Sequence, residues 1–278
     1  MTLRSSIEIY DLETRSSRVV WQTEQLVESP HFTPDGRTLI FNSDGLIYRL
    51  PIGGKPERID TGFAIRCNND HGLSPDGRTL IITDKSDGRA AIYTVPVEGG
   101  TPVRITDNFG SYYHGWSGDG ARITYTAFRQ RDVFAILTNT PDGRNEQVVI
   151  EGGGLNDGPD FSADGQWVWF NSDRSGHMQL WRARTHGSDR QRMSDSDHCD
   201  WFPHPSPDGR HVLFLSYDTS VGRDHPRDKT IWLKLMPAVG GASETLLELF
   251  GGQGTMNVPN WLPGGKSFAF VRYFPESS

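Results

Sequence analysis

Apolar residues along this chain come in short runs, and a tight polar turn opens each run. The runs Thr38–Asn42, Thr79–Thr83, Trp167–Asn171 and His211–Leu215 are rich in β-branched and aromatic residues and lie just after an Asp-Gly pair. That composition, bounded by turn residues, predicts β-strands. A polar loop such as Ser172–Gly176 leads into a second apolar run: Leu46–Tyr48, Ala91–Tyr93, Leu180–Trp181 or Ile231–Trp232. Gly53-Gly54, Gly99-Gly100, Asp142-Gly143 and Gly240-Gly241 then mark a hairpin into a further strand, because tight hairpins place a residue at positive φ, where a side chain is costly. With a strand before each Asp-Gly pair, the unit is four antiparallel strands.

The unit repeats down the chain. Its signature reads FTPDGR from Phe32, LSPDGR from Leu73, WSGDG from Trp116, FSADG from Phe161, PSPDGR from Pro205 and a degraded WLPGG from Trp261. The turn positions 35, 76, 119, 164, 208 and 264 are 41, 43, 45, 44 and 56 residues apart, the period of a four-stranded propeller blade. Near the termini, Ile7–Tyr10 and Arg18–Trp21 match third and fourth strands, while Asn260–Trp261 and Ser267–Val271 match a first and a second. Joining residues 1–23 to 256–278 completes a sixth blade and latches the ring. The expected fold is all-β: one domain over residues 1–278, a six-bladed β-propeller of four-stranded antiparallel blades, closed by the N-terminal strands joining the C-terminal blade.

The wording of the repeat, an aromatic residue with Ser-Pro-Asp-Gly, then a strand, Ser-Asp-Arg-x-Gly and Ile-Tyr, resembles the TolB-like propeller repeat over nearly the whole chain. The Trp-Asp and Gly-His marks of WD repeats are absent. In the TolB family proper the propeller follows a signal peptide and an α/β domain and works in the periplasm with envelope partners. Neither segment is read in this sequence, so the expectation is a stand-alone propeller. A similar propeller caps the prolyl oligopeptidase group, whose serine sits in a separate hydrolase domain. The nearest lookalike of a nucleophile elbow, Gly115–Asp119, has Asp where the second Gly belongs and lies on the repeat motif.

Composition narrows the partners. A net charge of -7 without a Lys/Arg cluster argues against nucleic acid. No apolar run approaches the ~18 residues of a membrane span, and Met1–Gln22 lacks a secretory leader pattern, which gives a cytoplasmic expectation. Cys67 and Cys199 occupy one repeat position in opposite blades, too far apart to bridge, and read as buried thiols. Eight Trp, eight Tyr and fourteen Phe compensate for a hydrophobic fraction of only 35%. A closed ring needs no partner for its core, so a monomer is expected.

The strand directions place the Asp-Gly turns on one face and, on the other, the segments leading into each first strand together with the loops between second and third strands. The Asp-Gly pairs read as turn chemistry. The lead-in segments are richer in His, Asp, Asn and aromatic residues, and channel mouths are where propellers build sites. Candidate ligand-binding residues at that mouth are Glu28, His31, Asn69, Asp70, His71, Tyr112, Tyr113, His114, Asn156, Asp157, Asp200, Trp201, His204 and Asn257. The long insertion Ser220–Lys229 of the fifth blade is placed over it. With no complete catalytic signature and no local metal-ligand spacing, the expectation is a non-catalytic binding or scaffold module without a cofactor. Its partner would be a peptide, a protein or a small polar ligand such as a saccharide. The alternative is a carbohydrate-active enzyme, a metal-assisted lyase or hydrolase at the same mouth, since oligogalacturonate lyases look similar in their propeller repeats and central metal-binding histidines.

Overall fold

A computed structural model of the protein describes residues 4–130 and 133–275. The expected blades are there. Five antiparallel sheets of four strands follow one another, and a sixth sheet joins the two ends of the chain. The innermost strands of the first five blades are Glu28–Phe32, Cys67–Leu73, Ser111–Trp116, Asn156–Phe161 and Cys199–Pro205. Blade 1 shows the plan: Glu28–Phe32 pairs with Thr38–Ser43, that with Leu46–Pro51, and that with the two-residue outer strand Glu57–Arg58.

Each Asp-Gly turn is held by its own side chains. In the first, Thr33 Oγ1 donates to Asp35 Oδ1 at 2.6 Å, the same oxygen accepts the Arg37 N–H at 3.0 Å, and Gly36 sits at φ +68°. Ser74–Asp76, Ser117–Asp119, Ser162–Asp164 and Ser206–Asp208 repeat the hydroxyl-to-carboxylate bond. These bonds hold the exposed Asp35 and Asp76 carboxyls below their ordinary range. Such local bonding is why Ser, Thr and Asp favour turns.

The seam closes on Ser5–Asp11, which pairs with Ser16–Thr23 on one side and with Ser267–Tyr273 on the other, from Ser5 opposite Tyr273 to Asp11 opposite Ser267. Tyr10 stacks on Phe268 at 5.2 Å between ring centroids, inside an apolar cluster that also takes Trp201, Tyr217, Trp261 and Phe270. The expected innermost strand of this blade is reduced to one bridge, between Trp261 and Phe268. Pro259 and Pro263 flank Trp261 and offer no backbone N–H to a ladder. Cys67 and Cys199 are buried free thiols, as expected.

The residues ahead of Trp261 take another course. Asn257 donates through its side-chain amide to Asn69 and Asp70 of blade 2, and its backbone carbonyl accepts from His114 Nδ1 of blade 3 at 3.4 Å. The Met256 carbonyl accepts from His204 Nε2 of blade 5 at 3.1 Å. In a six-membered ring blade 3 lies opposite blade 6, so this segment crosses the channel axis. Met256 and Asn257 are fully buried there and divide the channel into two cavities, one on each face.

Candidate functional site

The innermost strands supply side chains to both cavities, and a recurrent bulge sorts them. The ladder of the first strand slips between Glu28 and His31, between Asp157 and Asp160, and between Trp201 and His204. At each slip a residue in the left-handed region precedes a proline: Ser29 at φ +53°, Gly158 at +58° and Phe202 at +53°. A bulge re-aims the side chains on either side of it. In blades 1 and 4 the residue before it, Glu28 or Asp157, lines the cavity on the loop side, and the one after it, His31 or Asp160, lines the cavity on the turn side. Gly158 suits its place doubly, since a Cβ there would lie 2.8 Å from the Phe202 ring and 2.6 Å from Asn171 Oδ1.

The cavity on the loop side has a volume of about 520 Å³. Its acidic wall is Glu28, Asp70 and Asp157, and its aromatic wall is Tyr112, Phe128 and Phe134. The Lys85 ammonium lies 5.6 Å from the Tyr112 ring centroid. His114 sits at the floor with both ring nitrogens facing acceptors, Asp157 Oδ1 at 3.3 Å and the Asn257 carbonyl at 3.4 Å. Burial opposes its charged form, but the hydrogen bond it donates to Asp157 and the charges of Asp70 and Asp157 outweigh that and raise its pKa. The same pairing overcomes the burial of Asp157 and pulls its carboxyl down to about 2, helped by His225 and by the Thr126 hydroxyl at 2.7 Å.

Glu28 and Asp70 behave oppositely. Burial dominates both and raises them above the ordinary carboxylate range, in spite of Arg227 near Glu28 and of His114 near Asp70. Two carboxyls at this mouth are therefore short of positive charge.

Of the sequence candidates, Glu28, Asn69, Asp70, Tyr112, His114 and Asp157 line this cavity. His31 and Tyr113 line the one on the turn side. The other six are buried within the ring. His71 lies beside His31, 5.1 Å between centroids, and burial drives its pKa down to about 3. Asn156 donates to the Phe134, Gly152 and Gly154 carbonyls, and Asp200 accepts from Ser216 and Ser196. Trp201 stacks on His225 at 4.6 Å, and His204 bridges Asp160 and the Met256 carbonyl. Asn257 forms part of the crossing segment. Sequence reasoning did not name Asn68, Lys85, Thr126, Phe128, Phe134 or Gln253, which complete the loop-side lining with His225 of the expected insertion. Phe128 and Phe134 face one another across the second and third strands of blade 3, so their signal was an aromatic pair on neighbouring strands.

Among the described residues no three His, Cys, Asp or Glu side chains are grouped closely enough to hold a metal ion. Nor is any helix among them long and apolar enough to cross a membrane.

Residues 2–157 match the family of the TolB β-propeller domain. The chain belongs to this family. Uncharacterized protein Atu1656 of Agrobacterium fabrum is 54% identical over 277 residues, covering 99% of this chain and 94% of that protein. A solved structure of a provisionally named TolB from Agrobacterium tumefaciens is also 54% identical, with a TM-score of 0.96 over 99% of this chain and all of that one. An oligogalacturonate lyase in complex with manganese has a TM-score of 0.58 over 98% of this TolB-like chain and 91% of its own, at 13% identity, a likeness of fold alone.

Proposed function

We propose that this TolB-like propeller is a non-catalytic binding module whose loop-side cavity receives a positively charged group of a peptide or small polar ligand. The observation that carries the reading is the convergence of Glu28, Asp70 and Asp157 with three aromatic rings in one cavity of about 520 Å³. Aromatic faces and carboxylates together suit an ammonium or guanidinium group. Lys85 already sets such a group against Tyr112. A ligand cation placed deeper would stabilise the ionised forms of Glu28 and Asp70, which burial disfavours. The serine of the elbow-like sequence supports a role without catalysis, since Ser117 Oγ is held in its turn by Asp119 at 2.6 Å and the Arg122 carbonyl at 3.0 Å.

A carbohydrate-active enzyme at the same mouth is the second reading, favoured by the aromatic wall beside His114 and Asp157 and by the fold likeness to the lyase. Galacturonate chains are polyanions, however, and an acidic wall repels them.

Isothermal titration with short amidated Arg or Lys peptides, their Glu counterparts and oligogalacturonides with manganese separates the readings. The cationic peptides should bind, more tightly as pH rises through and above the carboxylate range, because Glu28 and Asp70 must ionise. Asp70→Asn should weaken them about tenfold. Preference for the Glu peptides or turnover of the oligogalacturonides would overturn the proposal.

A further inference from the structure

The loop-side cavity holds a cation of its own, and the residues around it leave that cation unspent. Lys85 lies in the loop between Thr79–Asp84 and Ala91–Pro96 of blade 2 and, among the described residues, is the one lysine or arginine of the lining. Its backbone is fixed, the N–H donating to the Arg66 carbonyl at 3.1 Å and the carbonyl accepting the Gly88 N–H at 2.9 Å. Two carboxylates stand close to it in sequence, and neither pairs with it. Asp84 accepts the Arg66 N–H at 2.8 Å on one oxygen and the Ser86 N–H at 2.7 Å on the other, while Asp87 accepts the Tyr93 hydroxyl at 2.9 Å. Among the described residues the Lys85 ammonium forms no ion pair; it rests on the Tyr112 ring, 5.6 Å from the centroid.

The acidic wall of the same cavity has two open acceptors. Asp157 accepts on Oδ1 from Thr126 and from the Gly158 N–H at 2.8 Å and meets His114 through the same oxygen, which leaves Oδ2 without a partner among the described residues. Glu28 accepts from Asn69 on Oε1 at 3.4 Å, which leaves Oε2 likewise. Asp70 adds charge, but its two oxygens are taken by Asn68 and Asn257. Asp157 Oδ2, Glu28 Oε2 and Lys85 Nζ are none of them sealed from solvent, so all three are open to a ligand. Tyr112 joins the two poles: its ring carries Lys85, and burial together with the charges of Asp70 and Asp157 raises the pKa of its hydroxyl. Phe128 and Phe134, 4.9 Å between centroids, add an apolar surface for a methylene chain.

We propose that the ligand of the loop-side cavity is a zwitterion, carrying a free carboxylate as well as the cationic group, of the class of basic amino acids and their Nα-acyl derivatives. The inference rests on the cation reading above and names the ligand's second charge. The ligand's ammonium or guanidinium meets Asp157 Oδ2 and Glu28 Oε2, and its methylene chain runs along the aromatic wall. Its carboxylate accepts from the Lys85 ammonium, a three-fold donor. An internal stretch of peptide offers no such carboxylate. A simple amine leaves Lys85 unpaired beside a second cation, which is unfavourable. The volume of about 520 Å³ is that of an ordinary small-molecule site.

Titration calorimetry with Nα-acetyl-lysine, Nα-acetyl-lysinamide and Nα-acetyl-norleucine separates the two poles: the first has both charges, the second only the ammonium, the third only the carboxylate. The lysine acid should bind about tenfold more tightly than its amide, the worth of one charge-assisted hydrogen bond, and the norleucine derivative more weakly than either. Lys85→Met, which keeps the stem against Tyr112, should bring acid and amide to one affinity, whereas Lys85→Arg should keep the preference. Should Lys85→Met lower the unfolding midpoint, Lys85→Gln takes its place. Binding of the amidated basic peptides together with equal affinity for the two lysine derivatives, or with binding of neither, would overturn the zwitterion and leave the cation site standing. A preference for the acid that survives the loss of the Lys85 charge would overturn the part given to Lys85. Tighter binding of the norleucine derivative than of the lysine amide, or no binding of peptides and lysine derivatives alike, would overturn the cation reading as well.

Discussion

Both ends of the channel draw on the innermost strands of blades 1 to 4, yet one is acidic and irregular while the other is largely apolar and nearly six-fold. The difference follows from what each face must do for the fold. On the turn face every blade needs the same tight reversal, so its residues recur and the rim becomes a ring of prolines and small residues. On the loop face no backbone conformation is imposed six times over. Glu28, Asn68, Tyr112 and Asp157 therefore stand at a mouth where the equivalent positions of the blades carry carboxylates, amides and aromatic rings in no repeating order. The bulges at Ser29 and Gly158 and the crossing segment at Asn257 keep the two chemistries apart.

That contrast can be broken at several depths, and the closure of the ring is the deepest. Phe268→Ala removes a fully buried ring between Tyr10 and Trp261 and should cost about 3–5 kcal/mol of stability. Urea denaturation would show it; a midpoint unchanged from wild type would mean the seam contributes little.

A change at one mouth alone comes next. Asp157→Asn leaves His114 with a neutral neighbour and should cost about 3 kcal/mol at neutral pH. The folded-state pKa of Asp157 is depressed to about 2 from 3.8, so its stabilisation is present above about pH 4 and is lost as pH falls toward 2. An acid-unfolding titration should therefore show a shallower decline between those values in the variant. Equal slopes would mean that the His114 pair is not the source.

Gly158→Ala forces a left-handed alanine against Phe202 and should lower stability by at least about 1 kcal/mol, with weaker cationic-peptide binding because the bulge aims Asp157 into the loop-side cavity. The smallest effect belongs to the turn face. Ser206→Ala removes the bonds to Asp208 and from the His211 N–H and should cost about 1 kcal/mol without altering cationic-peptide affinity.

The blades, their number and the meeting of Tyr10 with Phe268 were legible in the sequence because repeat period and turn chemistry are local signals. The cavities were legible only in part. Glu28 and Asp157 stood out as charges before a first strand, but their separation from His31 and Asp160 depends on a bulge that a strand pattern does not encode. The prolines at 30, 159 and 203 mark its position without revealing its direction. The extra chain before the last turn reads as the Ser220–Lys229 insertion of blade 5, and that Asn257 crosses to His114 is a long-range contact with no periodic trace. The turn face was passed over because uniform sequence reads as mere scaffolding. Six copies around an axis make a collar, a property of the ring and not of any one repeat.

The most direct test of a divided channel is a crystal structure resolving the side chain of Asn257. The account predicts its amide hydrogen-bonded to Asp70, its carbonyl facing His114, and no continuous opening between the two faces. Residues 253–258 lying along the rim, with a channel open from one face to the other, would contradict it.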